Sequence, residues 1–216
     1  MNNAISGTAL SLLLAIAVLH PLQVRAASFT LSSDPKKTCF AIEIGGVIQV
    51  GDYDRFVKTL KHAIALAPLR RIYLNSGGGN VGTALAITEV IRNTAPTVET
   101  IVQSRQNCNS ACVIILTAGS RRHIGADAKL IIHQALNEKT GQPDAKMTKD
   151  IGQYLALHGM LPDVMWTMGN LKPDEALTIT PSDAKRLGFG SLHFYGLSNP
   201  PATPQCSWDG FIRLDP

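Results

Sequence analysis

The sequence predicts an α/β protein with a largely parallel sheet covered by helices on its faces. Short apolar runs alternate with segments of helical periodicity, the succession that crossover connections between parallel strands produce. At 216 residues the chain fits one domain, since single cores stop growing near roughly 250–300 residues. Its composition, 45% hydrophobic and 17% charged, is that of a globular chain and excludes widespread disorder. No internal repeat of solenoid type interrupts the pattern.

Taken in order, residues 28–37 are mostly polar with one proline and predict a flexible lead-in. Residues 39–44 and 47–50 are apolar runs split by Gly45-Gly46, as two strands around a turn. Asp52 is placed to cap a helix in which Phe56, Leu60, Ile64 and Ala67 recur at helical spacing until Pro68. Residues 69–74 form a strand that enters a Gly77-Gly78-Gly79 turn. Residues 81–95 form a helix with the stripe Ala84, Ile87 and Ile91, stopped by Pro96. A strand over 97–102, a helix over 110–118 and a strand over 129–132 follow. Beyond a polar loop, Met147, Ile151, Tyr154, Leu155 and His158 space a helix, residues 161–168 form a short one, and 177–180 follow Asp174-Glu175. Residues 181–187 suit a small helix ended by Gly188, and the tail from Ser198, with Pro200, Pro201 and Pro204, predicts irregular chain.

The first 26 residues stand apart from this fold. An apolar run over 9–19 is too short to span a bilayer, His20-Pro21 break it, and Val24-Arg25-Ala26 make a small-residue cleavage site. The segment is expected to be a secretory signal peptide, residues 1–26, leaving a single mature domain, 27–216, that is periplasmic or secreted. A retained N-terminal anchor is the alternative, because the segment before the apolar run lacks Lys and Arg. The net charge of +4 is scattered and its longest basic cluster is Arg121-Arg122-His123, which argues against a nucleic-acid footprint.

Cys39, Cys108, Cys112 and Cys206 are an even set for an oxidising compartment. Cys39 and Cys206 lie near the two ends of the mature chain. Cys108 and Cys112 bracket Ser110 and can pair only if Cys108 precedes the helix, since an i, i+4 helical pair stands about 5–6 Å apart at Cβ. No spacing suits a metal site, and no cofactor motif is present: the glycine run lacks both the P-loop and the dinucleotide pattern.

The residues with chemical potential lie between Arg70 and Gln134. Asn75-Ser76-Gly77-Gly78-Gly79 offers free backbone amides, Ser110 opens a helix, and His133 ends an apolar strand. A nucleophile, a base and amide donors are what acyl transfer requires. Taken singly, Ser110 is as well explained as an N-cap, His133 as a core histidine, and the glycines as a tight turn. Their order and spacing, with Ile132-His133-Gln134 and Ala118-Gly119, resemble the Clp protease proteolytic subunit and its Clp/crotonase superfamily over roughly residues 42–190, and more narrowly the exported Clp-protease-like proteins of bacteria.

That resemblance implies a spiral of β-β-α units, Ser110 as nucleophile, His133 as general base, and an oxyanion hole from Gly78 or Gly79 with Ala111. Its acid would be Glu175 by register, counting back from Pro181, or Asp174 by residue type. It also implies a peptide or protein substrate and a homo-oligomer; the segment after His133 is shorter than the handle of the double-ring protease, and no ATPase partner is expected outside the cytoplasm. The chain has Gly77 where the family commonly has proline, and the cysteines flanking Ser110 are foreign to the cytoplasmic protease. The expected function is therefore an exported, ATP-independent serine peptidase. The alternatives are a catalytically inactive scaffold or interaction protein and a crotonase-like acyl-CoA enzyme.

Overall fold

The computed structural model describes residues 26–66, 68–137, 139–160, 162–172, 174–180, 183, 192–195 and 212–214. The expected signal segment up to residue 25, the small helix over 181–187 apart from Asp183, Cys206 and most of the proline-rich tail lie outside the described residues.

Among the described residues the strands run β1 (Ser28–Ser33), β2 (Phe40–Ile48), β3 (Leu69–Gly79), β4 (Glu99–Val102), β5 (Asn107–Asn109), β6 (Arg121–Gly125), β7 (Lys129–Ile132), β8 (Leu177–Ile179), β9 (Leu192–Tyr195) and β10 (Ile212–Leu214). The helices are α1 (Asp52–Leu66), α2 (Val81–Thr94), α3 (Ala111–Leu116), α4 (Ala145–Leu157) and α5 (Pro162–Asn170). The main sheet has the order β10-β1-β2-β3-β4-β6-β9. From β2 through β9 its pairs are parallel, and the antiparallel pairs lie at the β10-β1-β2 edge.

The sheet forks at β3. Arg71, Ile72 and Tyr73 pair with β4, whereas Ser76, farther along the same strand, pairs with Cys108 of β5. Strand β5 then pairs in parallel with β7, and β7 antiparallel with β8. A strand that serves two neighbours in succession brings three strand ends, those of β3, β5 and β7, to one edge. In parallel α/β sheets the carboxyl edge at such a change of neighbours is where ligands bind.

Several local expectations give way to packing. The segment over 28–33 is strand β1, because Leu31 and Ser33 face inward and the whole stretch pairs with β2. Gly45 and Gly46 do not turn the chain. They lie inside one strand, and the irregularity appears only as a register shift between Gly46 and Val47. In α1, Phe56, Leu60 and Ala63 form the buried stripe, and Ile64 is 39% exposed. Asp52 does not cap α1 but reaches back to accept from the Gln49 N–H at 2.8 Å, while Arg55 donates to its other oxygen. The tail is not wholly irregular either: residues 212–214 pair with β1.

Helix α2 follows its expected span. Asn80 caps it by accepting from the Thr83 N–H at 2.7 Å, and Ala84, Ile87 and Ile91 are buried. With Ile42, Ile44, Ile72 and Leu74 these form the centre of the core; each large side chain contributes about 1.5–3 kcal/mol on burial.

One polar cluster is embedded in the sheet. Strand register sets Arg71, Glu99 and Arg121 side by side on β3, β4 and β6. Glu99 meets Arg71 Nε at 3.4 Å, His123 Nε2 at 3.3 Å, and Arg121. Burial alone would raise the Glu99 carboxyl, but the hydrogen bond and charge of His123, then the charges of Arg121 and Arg71, outweigh it and hold the group at about 2. A carboxyl with a depressed folded value contributes stability above its unfolded value of 4.5, and that contribution disappears as pH falls toward 2. Thermal or urea unfolding should therefore show stability falling between about pH 4.5 and pH 2, by on the order of 3 kcal/mol from this group. Glu99→Gln should flatten that slope and lower stability at pH 7, since it removes the carboxylate charge that Arg71, 1% exposed, meets in the sheet.

Candidate active site

Strands β5 and β7 run in register, with Asn109 opposite Ile131. Ser110 follows the last residue of β5 and His133 the last residue of β7, so the ladder delivers both to the same edge. The Ser110 N–H donates to Ile131 O at 2.6 Å, which fixes the serine to β7 two residues before His133. Ser110 occupies the N-cap position of α3 with φ 53° and ψ −122°, and its side chain makes no capping hydrogen bond. A left-handed conformation costs a residue with a Cβ about 1–3 kcal/mol. A serine serving only as a cap would adopt extended backbone and use its hydroxyl on the helix; Ser110 does neither. Every residue of α3 is buried, so the helix is anchored in the core behind it.

The glycine run is strand, not turn. Gly78 and Gly79 pair with Val47 and Ile48 of β2, with φ of 88° and 133°. A Cβ on Gly78 would stand 2.8 Å from Ser110 Cβ and 3.1 Å from Ala111 N, and one on Gly79 would stand 2.9 Å from Ile48 C. Gly77 differs: its nearest contact would be Val47 Cγ2 at 3.9 Å.

Ser76 has a role that sequence reasoning missed. Its buried hydroxyl donates to Gly46 O at 2.6 Å and accepts the Gly78 N–H at 3.1 Å. It thereby occupies one of the two glycine amides considered for an oxyanion hole. The only signal for it was the hydroxyl immediately before three glycines.

His133 and Ser110 line a common cleft of about 1230 Å³ with Gly79, Asn80, Met147 and Tyr154. They also share a smaller recess of about 20 Å³, walled by Val113, Ile132, Leu155 and Met168. No hydrogen bond joins Ser110 to His133 among the described residues. His133 Nδ1 lies 2.6 Å from Gln134 O. A carbonyl oxygen only accepts, so Nδ1 is the donor of this contact and Nε2 is the ring nitrogen free to face the cleft.

The acid is less advanced. Strand β8 pairs with β7 so that Leu177 faces Ile132, which brings residues 174–175 close to His133 along the chain. The Glu175 carboxylate is nevertheless occupied, accepting from the Lys172 N–H at 2.9 Å and meeting Lys172 Nζ at 3.1 Å. The backbone bond first, then the Lys172 side chain, holds its carboxyl below the usual range. Asp174 is exposed. Neither hydrogen-bonds His133.

Cys108 lies in β5 and Cys112 in α3, and the two form a disulfide with Cα atoms 5.2 Å apart. Pairing is possible because Cys108 precedes the helix. Cys39, buried, stands just before β2. No group of His, Cys, Asp and Glu is arranged to hold a metal ion among the described residues. Of the remaining described histidines, His62 is exposed on α1, His123 joins Glu99, His193 lies opposite His123 on β9, and His158 contacts Arg92, whose Nη2 donates to Thr117 O at 2.6 Å.

A mostly parallel sheet that forks and is covered by helices is a fold of the Clp/crotonase-like class. The comparisons agree. The chain belongs to the Clp protease family, whose match spans residues 38–157. That stretch contains Ser110 and His133, and Asp174 and Glu175 lie beyond it. Among solved structures, ClpP1 from Listeria monocytogenes aligns with a TM-score of 0.59 at 19% identity. An asparagine-to-aspartate mutant of the same protein gives 0.58 at 20%. Each alignment covers 74% of this chain and 92% of the other.

The three glycines should separate in a substitution series. Gly77→Ala should leave thermal stability within about 0.5 kcal/mol of wild type. Gly78→Ala should cost more than about 2 kcal/mol, because it combines positive φ with a contact on Ser110. Equal costs at the two positions, measured by denaturant unfolding, would refute the packing described.

Proposed function

We propose that the chain is an exported serine hydrolase, an ATP-independent peptidase in which Ser110 is the nucleophile and His133 the general base. The observation that carries this is Ser110 itself: strained, uncapped, and open to the cleft that His133 lines. His133 Nε2 takes the Oγ proton as Oγ attacks a peptide carbonyl, then returns it to the leaving amine; water, deprotonated in turn, releases the acyl group. The oxyanion forms beside the N-terminus of α3, where the Ala111 N–H is available. Gly79 is the better second donor, because the Gly78 N–H is already held by Ser76.

Gln134 O keeps the ring in the tautomer that a triad acid would select. Glu175 is the carboxylate placed to replace it once Lys172 lets go, with Asp174 beside it. The substrate is a peptide or protein, no cofactor takes part, and the chain works as a homo-oligomer without an ATPase partner. Export to the periplasm or medium is supported by the N-terminal segment and by the Cys108–Cys112 bridge, since such bonds persist in oxidising compartments.

One observation favours a catalytically silent scaffold: no hydrogen bond joins Ser110 to His133. Kinetics decides between the two. With a fluorogenic peptide, Ser110→Ala and His133→Ala should each lower kcat/KM by at least about 10³-fold. Glu175→Gln should lower it by roughly 10–10²-fold, and Asp174→Asn should leave it unchanged. Turnover that survives Ser110→Ala would sink the proposal, and a chain with no turnover on any peptide would favour the scaffold.

The small recess beside Ser110 and His133 sets the substrate preference. Its volume of about 20 Å³ accommodates a water- or methyl-sized group, and its walls are apolar. Peptides with Ala before the scissile bond should therefore outperform those with Phe or Leu. Met168→Ala should relax that preference, and a profile unchanged by the substitution would exclude the recess as the specificity pocket.

A further inference from the structure

The Cys108–Cys112 bridge does not tie distant parts of the fold together. One sulfur leaves β5 and the other the second residue of α3, so the bond closes the strand-to-helix turn that has Ser110 at its centre. A bridge between residues four apart restrains the unfolded chain less than a long-range one. Its effect is felt mainly in the geometry of the turn.

That geometry is the costly part of the site. Ser110 holds a left-handed φ with no side-chain cap to compensate. On the strand side the turn is held by the Ser110 N–H bond to Ile131 O and by Gly78, which packs against it. On the helix side Ser110 O accepts from the Val113 N–H at 2.9 Å. The bridge joins these two sides covalently, and both cysteines are fully buried.

We propose that the Cys108–Cys112 disulfide is a positioning element for the nucleophile, holding the turn in the strained conformation that presents Ser110 Oγ to the cleft and to His133. The proposal builds on the assignment of Ser110 as nucleophile.

Removing the bond has a defined chemistry. A dithiol reductant attacks one sulfur as thiolate, forms a mixed disulfide and closes to its own cyclic disulfide. Two electrons and two protons pass to Cys108 and Cys112. Two thiols in contact stand farther apart than two bonded sulfurs. Both are enclosed in the core, so the added separation is taken up by the β5–α3 turn, which opens and lets Ser110 relax toward an ordinary φ. The cleft walls contributed by β2, α2 and α4 are untouched, so substrate binding is preserved while attack is impaired.

The test compares peptide turnover of the full mature chain in three forms: oxidised wild type, the Cys108→Ala/Cys112→Ala double variant, and wild type reduced with a dithiol and then reoxidised. The expected result is a kcat at least about 10-fold lower in the double variant and the reduced protein, with KM within about twofold. Circular dichroism should show both folded at the assay temperature, and reoxidation should restore kcat. A purely structural bridge would not produce that split between kcat and KM. An unchanged kcat with bridge loss proven by mass would overturn the proposal, as would loss of folding in both forms, which would make the bridge a stability element. Oxidised wild type with no turnover would instead remove the nucleophile assignment, and the positioning role with it.

Discussion

The site depends on the close approach of Gly78 to the turn between β5 and α3. There the backbone of β3 lies against Asn109, Ser110 and Ala111 with no room for a side chain. This contact joins β3 to the residue proposed as the nucleophile. It is possible only because β3 changes neighbours, pairing first with β4 and then with β5. If β3 kept one neighbour throughout, its glycines would face an ordinary ladder, and the serine would have no strand to pack on.

The chemistry follows from how the backbone amides are used. Ser76 takes the Gly78 N–H and ties it to Gly46, so β2 and β3 are clamped where their register shifts. The Ser110 N–H is spent on Ile131. What remains near Oγ is the N-terminus of α3, where unpaired amides and the helix dipole favour negative charge. The histidine is similarly prepared, its Nδ1 proton held by Gln134 O and its Nε2 left to accept. A neutral carbonyl orients the ring but adds no charge to stabilise an imidazolium, which is the difference that a carboxylate at Glu175 would make.

Much of this was legible in the sequence. The helices α1, α2 and α4 carry strong 3.6-residue stripes, and the short apolar run before His133 is the strand β7, paired in parallel with β5. Some elements were hidden because tertiary pairing overrode local signals. Strand β1 reads as polar although Phe29 and Leu31 alternate, β5 is three residues long, and β6 begins with the charged pair Arg121-Arg122 before its buried end. The glycine run looked like a turn because glycine is a turn former in isolation. In the fold the same freedom allows positive φ within a strand. The acid was the least legible feature: register pointed to Glu175 and residue type to Asp174, and the Glu175 carboxylate goes to Lys172, a local pairing three residues away.

The chain thus combines a Clp protease fold with a disulfide that closes the turn around Ser110. Whether Ser110 is activated by His133 is decided by covalent capture. Incubation of the mature protein with a fluorophosphonate, followed by intact-mass measurement and peptide mapping, should give one adduct per chain, located on Ser110 and lost in His133→Ala. No adduct on folded protein, or an adduct on another serine, would contradict the assignment.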